Sequence, residues 1–451
     1  MNWVNDMNTP ICDFVSRYAG ERVLRLHMPG HKGKNVLGCE DRDITEIKGA
    51  DSLYEAEGII AESEKNASEL FGCRTYYSTE GSSQCIRAML YLCCLYAKSR
   101  GRKPLIYAAR NVHKVFLYSA ALLDFQVQWL YGEGESYLSC NISAEKLETT
   151  LENAQEKPVA VYITSPDYLG KAADIGALSR VCRKNGVLLV VDNAHGAYLK
   201  FLPESRHPVD LGAHICCDSA HKTLSVLTGG AYLHLGDDLP ELFSDNAKRA
   251  FALFGSTSPS YLILQSLDRA NAYLASSYKR ELCEFVGRVH TLKEKLINHG
   301  YTLYGDEELK ITLCTKGYGY SGNELADILR ERGIEPEFAD NDFLCLMLTP
   351  ELDGKSLQRL YEVLAAIEKK PEITLRPIKN SVHEKVTDIK TAMLSLGETL
   401  PVQECVGRVL CEPSVSCPPA VPVVMCGERI SESDKDAFLY YGITHCTVIK
   451  E

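Results

Sequence analysis

The chain has 451 residues, 45% of them apolar and 24% charged, which is the balance of an ordinary globular protein with enough apolar material for two or three packed domains. Its net charge of −11 argues against a nucleic-acid or anionic-membrane surface, because phosphate recognition needs clustered Lys and Arg. No apolar run of about 18 residues is present, so no segment is expected to span a membrane. The eighteen cysteines show no repeated CxxC pairing, and the start lacks a basic stretch leading into an apolar core. They are read as reduced, packed thiols of a cytoplasmic protein, with no metal site.

In chain order, IIAESEKNASELF (59–71) has helical apolar spacing and stops at Gly72. TYYSTEGSS then reads as a strand entering a Gly-Ser turn, and QCIRAMLYLCCLYAKS as a helix. KPLIYAA, VQWLYG and PVAVYIT read as strands, and KVFLYSAALLD and IGALSRVCRKNG as helices. VLLVVD (187–192) has no apolar-polar alternation, which marks a strand covered on both faces. This β/α alternation over about 70–235 predicts a mostly parallel sheet covered by helices. Residues 259–300 read as one long helix, 301–370 as shorter strands and helices of an α+β unit, and 378–451 as a segment with one helix and a proline-dense stretch.

Three loops fall at C-terminal ends of predicted strands, where open α/β sheets bind ligands. Gly81, Ser82 and Ser83 open a helix, and N–H groups there with two hydroxyls suit a phosphate as well as a simple cap. Asp192 ends the buried strand, with His195 three residues on. A carboxylate in that position either caps the following turn or pairs with a protonated ring nitrogen, which would keep it ionised. SAHKTL (219–224) sets Lys222 among hydroxyls and an imidazole, where an amine of lowered pKa can attack an aldehyde. Phosphate cradle, ring-nitrogen carboxylate and imine-forming lysine are together the parts that pyridoxal 5'-phosphate requires.

The sequence resembles the fold-type-I pyridoxal phosphate (PLP) decarboxylases of ornithine, lysine and arginine, in their shorter bacterial form. The resemblance rests on LHMPGHKG (26–33), DITE (43–46), EGSSQ (80–84), RNVHK (110–114) and TSPDYLG (164–170). It continues through VDNAHGAYL (191–199), SAHKTL (219–224) and STSPSYLILQSLDRA (256–270), with a weaker echo, PPAVPVVMCGE, at 418–428. It implies an aspartate aminotransferase-like large domain with a mostly parallel sheet, followed by small α+β C-terminal domains. The expected boundaries are an N-terminal segment 1–20, a PLP-binding domain 21–257, a connecting helix 258–300, a small domain 301–375 and a C-terminal domain 376–451.

By resemblance, Lys222 carries the cofactor as an internal aldimine, Asp192 pairs with the pyridinium nitrogen, His113 stacks on the ring, and His195 lies beside it. Gly81, Ser82, Ser83, Ser219 and His221 hold the phosphate, and His221 or Lys222 returns the proton after CO2 leaves. Ser256 and Thr257 are expected to reach the phosphate of the neighbouring subunit, which makes the active site a homodimer feature. The implied reaction turns arginine, lysine or ornithine into agmatine, cadaverine or putrescine. Another fold-type-I reaction, such as an aminotransferase or lyase, and a catalytically silent binding or regulatory relative stand as alternatives. Four positions depart from the family pattern: Glu80 before the phosphate-loop glycine, the loop with Cys417 and Ala420 around Pro418–Pro419, Asn193 after Asp192, and Met28. His27 and His31 flank a Pro-Gly turn, either lining the site or serving a structural turn. The acidic run EPEFADND (335–342) is read as an exposed loop, with a substrate's distal cation as its other candidate partner.

Overall fold

The computed structural model describes residues 7–21, 23–134, 136–379, 381–414 and 419–451; Cys417 and Pro418 of the C-terminal loop lie outside them. The chain divides into two compact units, Met1–Arg100 with Leu188–Cys283 and Gly101–Val187 with Glu284–Glu451. The strands in chain order begin with β1 (Arg74–Ser78), β2 (Leu105–Ala109), β3 (Gln126–Leu130), β4 (Ala160–Thr164), β5 (Leu188–Asp192), β6 (Ile215–Asp218) and β7 (Ala231–Leu235).

The first unit orders its strands β1-β7-β6-β5. β5 and β6 are parallel, with Asp192 beside Cys217, whereas β7 runs antiparallel to both β6 and β1. The return from Asp218 to Ala231 is short, holding a single four-residue helix, Ala220–Thr223, and it brings the chain back beside β6 in the opposite sense. Every residue of β5 is buried, the terminal Asp192 included, as the unbroken apolar run before it requires. The helix Gly81–Ser99 lies across β1, β6 and β7 and packs on the helix Glu241–Ala252. It starts three residues earlier than its apolar spacing indicates, so the Gly-Ser turn is its first turn. Phe71, fully buried at the end of the helix Ile59–Phe71, meets the rings of Phe201, Tyr232 and His234 at centroid distances of 5.5, 5.2 and 4.4 Å. Truncating such a side chain to alanine costs about 3–5 kcal/mol.

The helix expected over 259–300 is interrupted. Tyr261–Tyr273 and Lys279–His299 are α-helical, and Leu274–Tyr278 between them forms a π turn. The extra residue of that turn leaves Tyr278 buried, its hydroxyl donating to the Thr223 carbonyl at 3.5 Å, directly after the lysine loop.

In the second unit β4, β2 and β3 are parallel neighbours in that order. The strands β8 (Leu303–Tyr304), β9 (Lys310–Cys314), β10 (Phe338–Ala339) and β11 (Phe343–Met347) form an antiparallel sheet ordered β10-β11-β9-β8, with the helix Gly322–Glu331 against β11. The chain ends with β12 (Gly397–Pro401) pairing antiparallel with β13 (His445–Ile449). One apolar core joins residues far apart in sequence: Tyr137, Leu138 and Leu169, Phe338 and Phe343, and Val402, Leu410, Val424 and Val448. Among the described residues no helix is long and apolar enough to cross a membrane.

Candidate active site

Three loops of the first unit carry most of the residues singled out by the sequence. Gly81 has φ +70°, a left-handed conformation that favours glycine, and its N–H donates to the Gly229 carbonyl at 2.7 Å. This turn aims the start of a 19-residue helix, whose first-turn N–H groups at Ser82 and Ser83 have no partner within the helix. The Ser219 hydroxyl donates to Ser82 Oγ at 2.8 Å, so two of the three loops meet hydroxyl to hydroxyl.

Lys222 follows on the short helix after β6, half-buried, with Nζ 3.1 Å from His195 Nε2. His195 is 4% exposed and stands on the loop that leaves β5 after Asp192. That loop is tight: a Cβ on Gly196 would stand 2.0 Å from Asn193 Oδ1 and 2.7 Å from Leu199 Cδ1, so a larger residue would have to displace both buried side chains. Asp192 is 2% exposed, and its Oδ1 accepts the Ala194 N–H at 3.3 Å and the Cys217 thiol at 3.8 Å. His221 holds the Gly230 carbonyl twice, by its backbone N–H at 3.2 Å and its Nδ1 at 2.9 Å. With the Nδ1 proton spent on that carbonyl, Nε2 carries a proton only in the imidazolium form.

Glu80 is turned onto its neighbour. Its Oε1 accepts the Ser256 N–H at 2.5 Å, and Ser256 Oγ in turn accepts the Ser258 N–H at 3.1 Å. Ser256 and Thr257 are both exposed. His27 contacts the Tyr18 hydroxyl at 2.6 Å and His31 pairs with Asp43 at 3.2 Å, so both hold the N-terminal segment together.

Asn193 has a specific occupation that sequence reasoning missed. It is fully buried, and its Nδ2 donates to Asp218 Oδ1 at 2.6 Å. The other oxygen of Asp218 sits 3.1 Å from Nε2 of both His207 and His234, all three residues being inaccessible to solvent. Burial alone would raise the Asp218 carboxyl, but the two imidazoles hold it well below the usual carboxylate range. Burial also pushes His234 below the ordinary histidine value, against the pull of Asp218. A glutamate at 193 would set a second carboxylate against Asp218, whereas the amide supplies a donor. Asp218 directly precedes Ser219, so this cluster fixes the strand end from which the lysine loop springs. Its members are 11 and 16 residues from Asp218 on other elements, and no local spacing announces it. His207, Cys216 and Asp218 offer ligand atoms within 4.8 Å of one another, a grouping that no Cys/His spacing in the sequence foretold.

His113 belongs to the second unit. It caps the helix Lys114–Leu123, with Nδ1 accepting the Val115 N–H at 3.2 Å. Nearby in the same motif, Arg110 is wholly buried and forks onto Glu428 with two bonds of 2.6 Å. His383 Nδ1 stands 2.9 Å from Arg110 Nη2, and its Nε2 reaches Asp434 Oδ1 at 2.8 Å. Lys114 N–H donates to the carbonyl of Ala420, a residue at φ +57°. The RNVHK stretch and the C-terminal PPAVPVVMCGE stretch are therefore two sides of one polar junction, which neither motif alone discloses. The acidic run at 335–342 meets the expectation of exposure at Glu335 and Glu337 and corrects it at Asp340 and Asp342, which are 8% and 3% exposed, Asp340 folding back on the N–H groups of Asp342 and Phe343.

Comparison with known proteins agrees with this architecture. The model of the Orn/Lys/Arg decarboxylase major domain matches residues 9–313, and that of the C-terminal domain matches 367–447. An arginine decarboxylase of Bacillus subtilis (strain 168) is 26% identical over 94% of this chain and 92% of its own length. The uncharacterized protein YaaO of the same organism is 28% identical with the same coverage. The crystal structure of the lysine decarboxylase LdcF of Francisella novicida superposes with a TM-score of 0.81 at 17% identity, covering 99% of this chain and 82% of that one. The fold is thus the fold-type-I arrangement that the motifs indicate, an α/β large domain with a mostly parallel sheet followed by smaller α+β parts.

Proposed function

Because the chain belongs to the Orn/Lys/Arg decarboxylase family, we propose that it removes the α-carboxylate of a basic amino acid, arginine first among them, using PLP bound at Lys222. The observation that carries the assignment is the half-buried Lys222 amine 3.1 Å from His195 Nε2, on the loop that follows the buried Asp192. The family and the PLP-enzyme structural neighbours imply the cofactor. Arginine is placed first because full-length relatives from several Bacillus species carry the name arginine decarboxylase.

The residues present fit that group. A phosphate asks for N–H and hydroxyl donors, and the helix start at Ser82 and Ser83 with the facing Ser219 hydroxyl offers both. A protonated ring nitrogen asks for a buried carboxylate, and Asp192 is one. When bound, PLP supplies an aldehyde that captures the substrate amine and a cationic ring that accepts the electrons of the breaking bond. Asp192 keeps the proton on the ring nitrogen. His195 orients the Lys222 Nζ and takes or gives its proton, which is what a 3.1 Å amine–imidazole contact permits. His221 donates Nε2–H to an anion only as the imidazolium, so the phosphate and this ring stabilise each other's charge. The stacking role that the family resemblance gives His113, and the reach of Ser256 and Thr257 toward a second subunit's phosphate, belong to the same proposal. Glu80 supports an active enzyme over a silent relative, since its carboxylate is engaged by the Ser256 N–H.

The test is product analysis. Purified protein supplied with PLP is given arginine, lysine or ornithine separately, and amine and CO2 are followed by mass spectrometry, with Lys222→Ala as control. One amine, formed only when Lys222 is present, is the expected outcome. No amine from any of the three would remove the basic-amino-acid assignment.

A further inference from the structure

The loops that carry Asp192 and Lys222 leave adjacent parallel strands and are tied together at two levels. Asp192 stands opposite Cys217 in the ladder, so the two chains begin to part at Asn193 and Asp218. At that foot the Asn193 N–H donates to the Cys217 carbonyl at 3.0 Å, and Asn193 Nδ2 donates to Asp218 Oδ1 at 2.6 Å. At the tip Lys222 Nζ meets His195 Nε2 at 3.1 Å.

The foot is rigid. His207 and His234 hold the other oxygen of Asp218, each at 3.1 Å, so this carboxylate cannot swing aside. Asn193 and Asp218 are both inaccessible to solvent, and no bulk water competes for the bond between them. The Asn193 side chain does little else. Its Oδ1 is buried with no hydrogen-bond partner among the described residues, and it occupies the space that a Cβ on Gly196 would need. A buried amide with an unmet acceptor costs stability, so the fold alone gives poor reason for this residue. Its one service is the bond to Asp218.

We infer that Asn193 is a positioning residue for the proposed reaction: through Asp218 it sets the separation between the Asp192 carboxylate and the Lys222 amine. The inference rests on PLP being bound at Lys222, and it holds for whichever amino acid is consumed. Each partner in the bond adjoins a residue assigned to the cofactor. Asn193 follows Asp192, and Asp218 precedes Ser219, whose hydroxyl meets Ser82. The nitrogen and the aldehyde-bearing carbon lie at opposite ends of one rigid pyridine ring, so the carboxylate and the amine that serve them must keep one separation. Loops turning about single bonds do not hold such a distance unaided, whereas a buried cross-link at their common foot does. Cys217 works in the same sense, its thiol donating to Asp192 Oδ1 at 3.8 Å from the neighbouring strand.

The experiment compares the PLP-loaded wild type with Asn193→Ala, Asn193→Asp and the exchange Asn193→Asp with Asp218→Asn. The exchange returns the bond with donor and acceptor reversed, and the new amide oxygen still accepts from the Nε2–H forms of His207 and His234. The readouts are the visible circular dichroism of the bound cofactor, PLP affinity, kcat and KM, with urea midpoints taken alongside. In Asn193→Ala the cofactor band is expected to fall about twofold and PLP affinity about fivefold, since one buried bond is lost. Its kcat is expected to drop about tenfold with KM little changed, as a misplaced reacting pair requires. Asn193→Asp sets two carboxylates together and is expected to lose at least as much. The exchange is expected to recover the band and kcat to within about threefold of wild type, because the two changes are coupled through the bond.

A bond that serves the fold alone would lower the urea midpoint and leave the band and kcat of the folded, loaded protein untouched. That result in folded Asn193→Ala overturns the inference, as does an exchange variant no better than Asn193→Asp. If Asn193→Asp does not fold, recovery is judged against Asn193→Ala, and if the exchange does not fold, Asn193→Ala alone decides. A wild type in which borohydride fixes no cofactor on Lys222 removes the reading of the site and this inference with it. A wild type that carries PLP there, with variants that match it, removes this inference alone.

Discussion

Arg110 and Glu428 are 318 positions apart and form a fully buried two-bond ion pair, both N–O distances 2.6 Å. The guanidinium also lies 5.3 Å from the Trp129 ring, and Glu428 Oε2 takes the Met425 N–H at 2.9 Å, so neither charge is left to be solvated by one partner alone. Breaking one side leaves the other charge buried. Arg110→Met is expected to cost about 3–5 kcal/mol in a urea-unfolding series, and Glu428→Leu about the same. The double variant is expected to be less damaged than the sum of the two, because it removes both charges together. Additive losses would show that the pair is not coupled.

Lys222 is the residue on which the proposed chemistry stands. Lys222→Ala is expected to lower decarboxylation by at least about 10³-fold while leaving the fold intact, since Lys222 is only half-buried. Borohydride reduction of the PLP-loaded protein followed by peptide mass spectrometry supplies the direct check. The cofactor mass belongs on the peptide containing Lys222 and is absent from the variant. Its appearance on another lysine would move the assignment.

What the sequence made legible was local. VLLVV is apolar at every position and became, with Asp192 at its end, a strand buried on both faces, and the Gly-Ser turn before a long apolar-spaced run became a helix start, because each signal is contained in a few residues. The helix Ala144–Glu152 escaped notice because only Leu147 and Leu151 of AEKLETTLE are buried, too few to set a period against its charges. The acidic run at 335–342 is exposed at Glu335 and Glu337 but misled at Asp340 and Asp342 for a related reason. Composition marks it as exposed, but the Asp340 side chain satisfies two backbone N–H groups and draws the hairpin inward. The Asp218 cluster and the Arg110–Glu428 pair are tertiary facts, made by strands and loops that meet only in the fold.

Glu80 separates two physical accounts of the family departure at that position. If its carboxylate merely repelled the phosphate, Glu80→Ala would tighten PLP binding. The bond to Ser256 N–H predicts the opposite: the alanine variant loses the acceptor that holds the turn, and PLP affinity falls about fivefold. Equilibrium titration of the apoprotein, read by cofactor absorbance, distinguishes the two by sign alone.

The buried Asp218 cluster sets an acid limit on stability. His234 has a folded pKa below its ordinary 6.5, because burial disfavours its charge, so the unfolded chain binds the proton first as pH falls. Its contribution is complete above about 6.5 and is lost as pH drops below that value toward the folded pKa. Asp218, held below its ordinary 3.8, adds a second loss that begins only near and below 3.8. The urea midpoint of the wild-type protein is therefore expected to fall in two stages, one starting near pH 6.5 and one below pH 4. Asp218→Asn removes the charge that three donors share and is expected to cost about 3–5 kcal/mol at pH 7.5. His234→Gln, which cannot titrate, is expected to flatten the upper stage and keep the lower one. An unchanged upper stage in that variant would place its origin in another histidine.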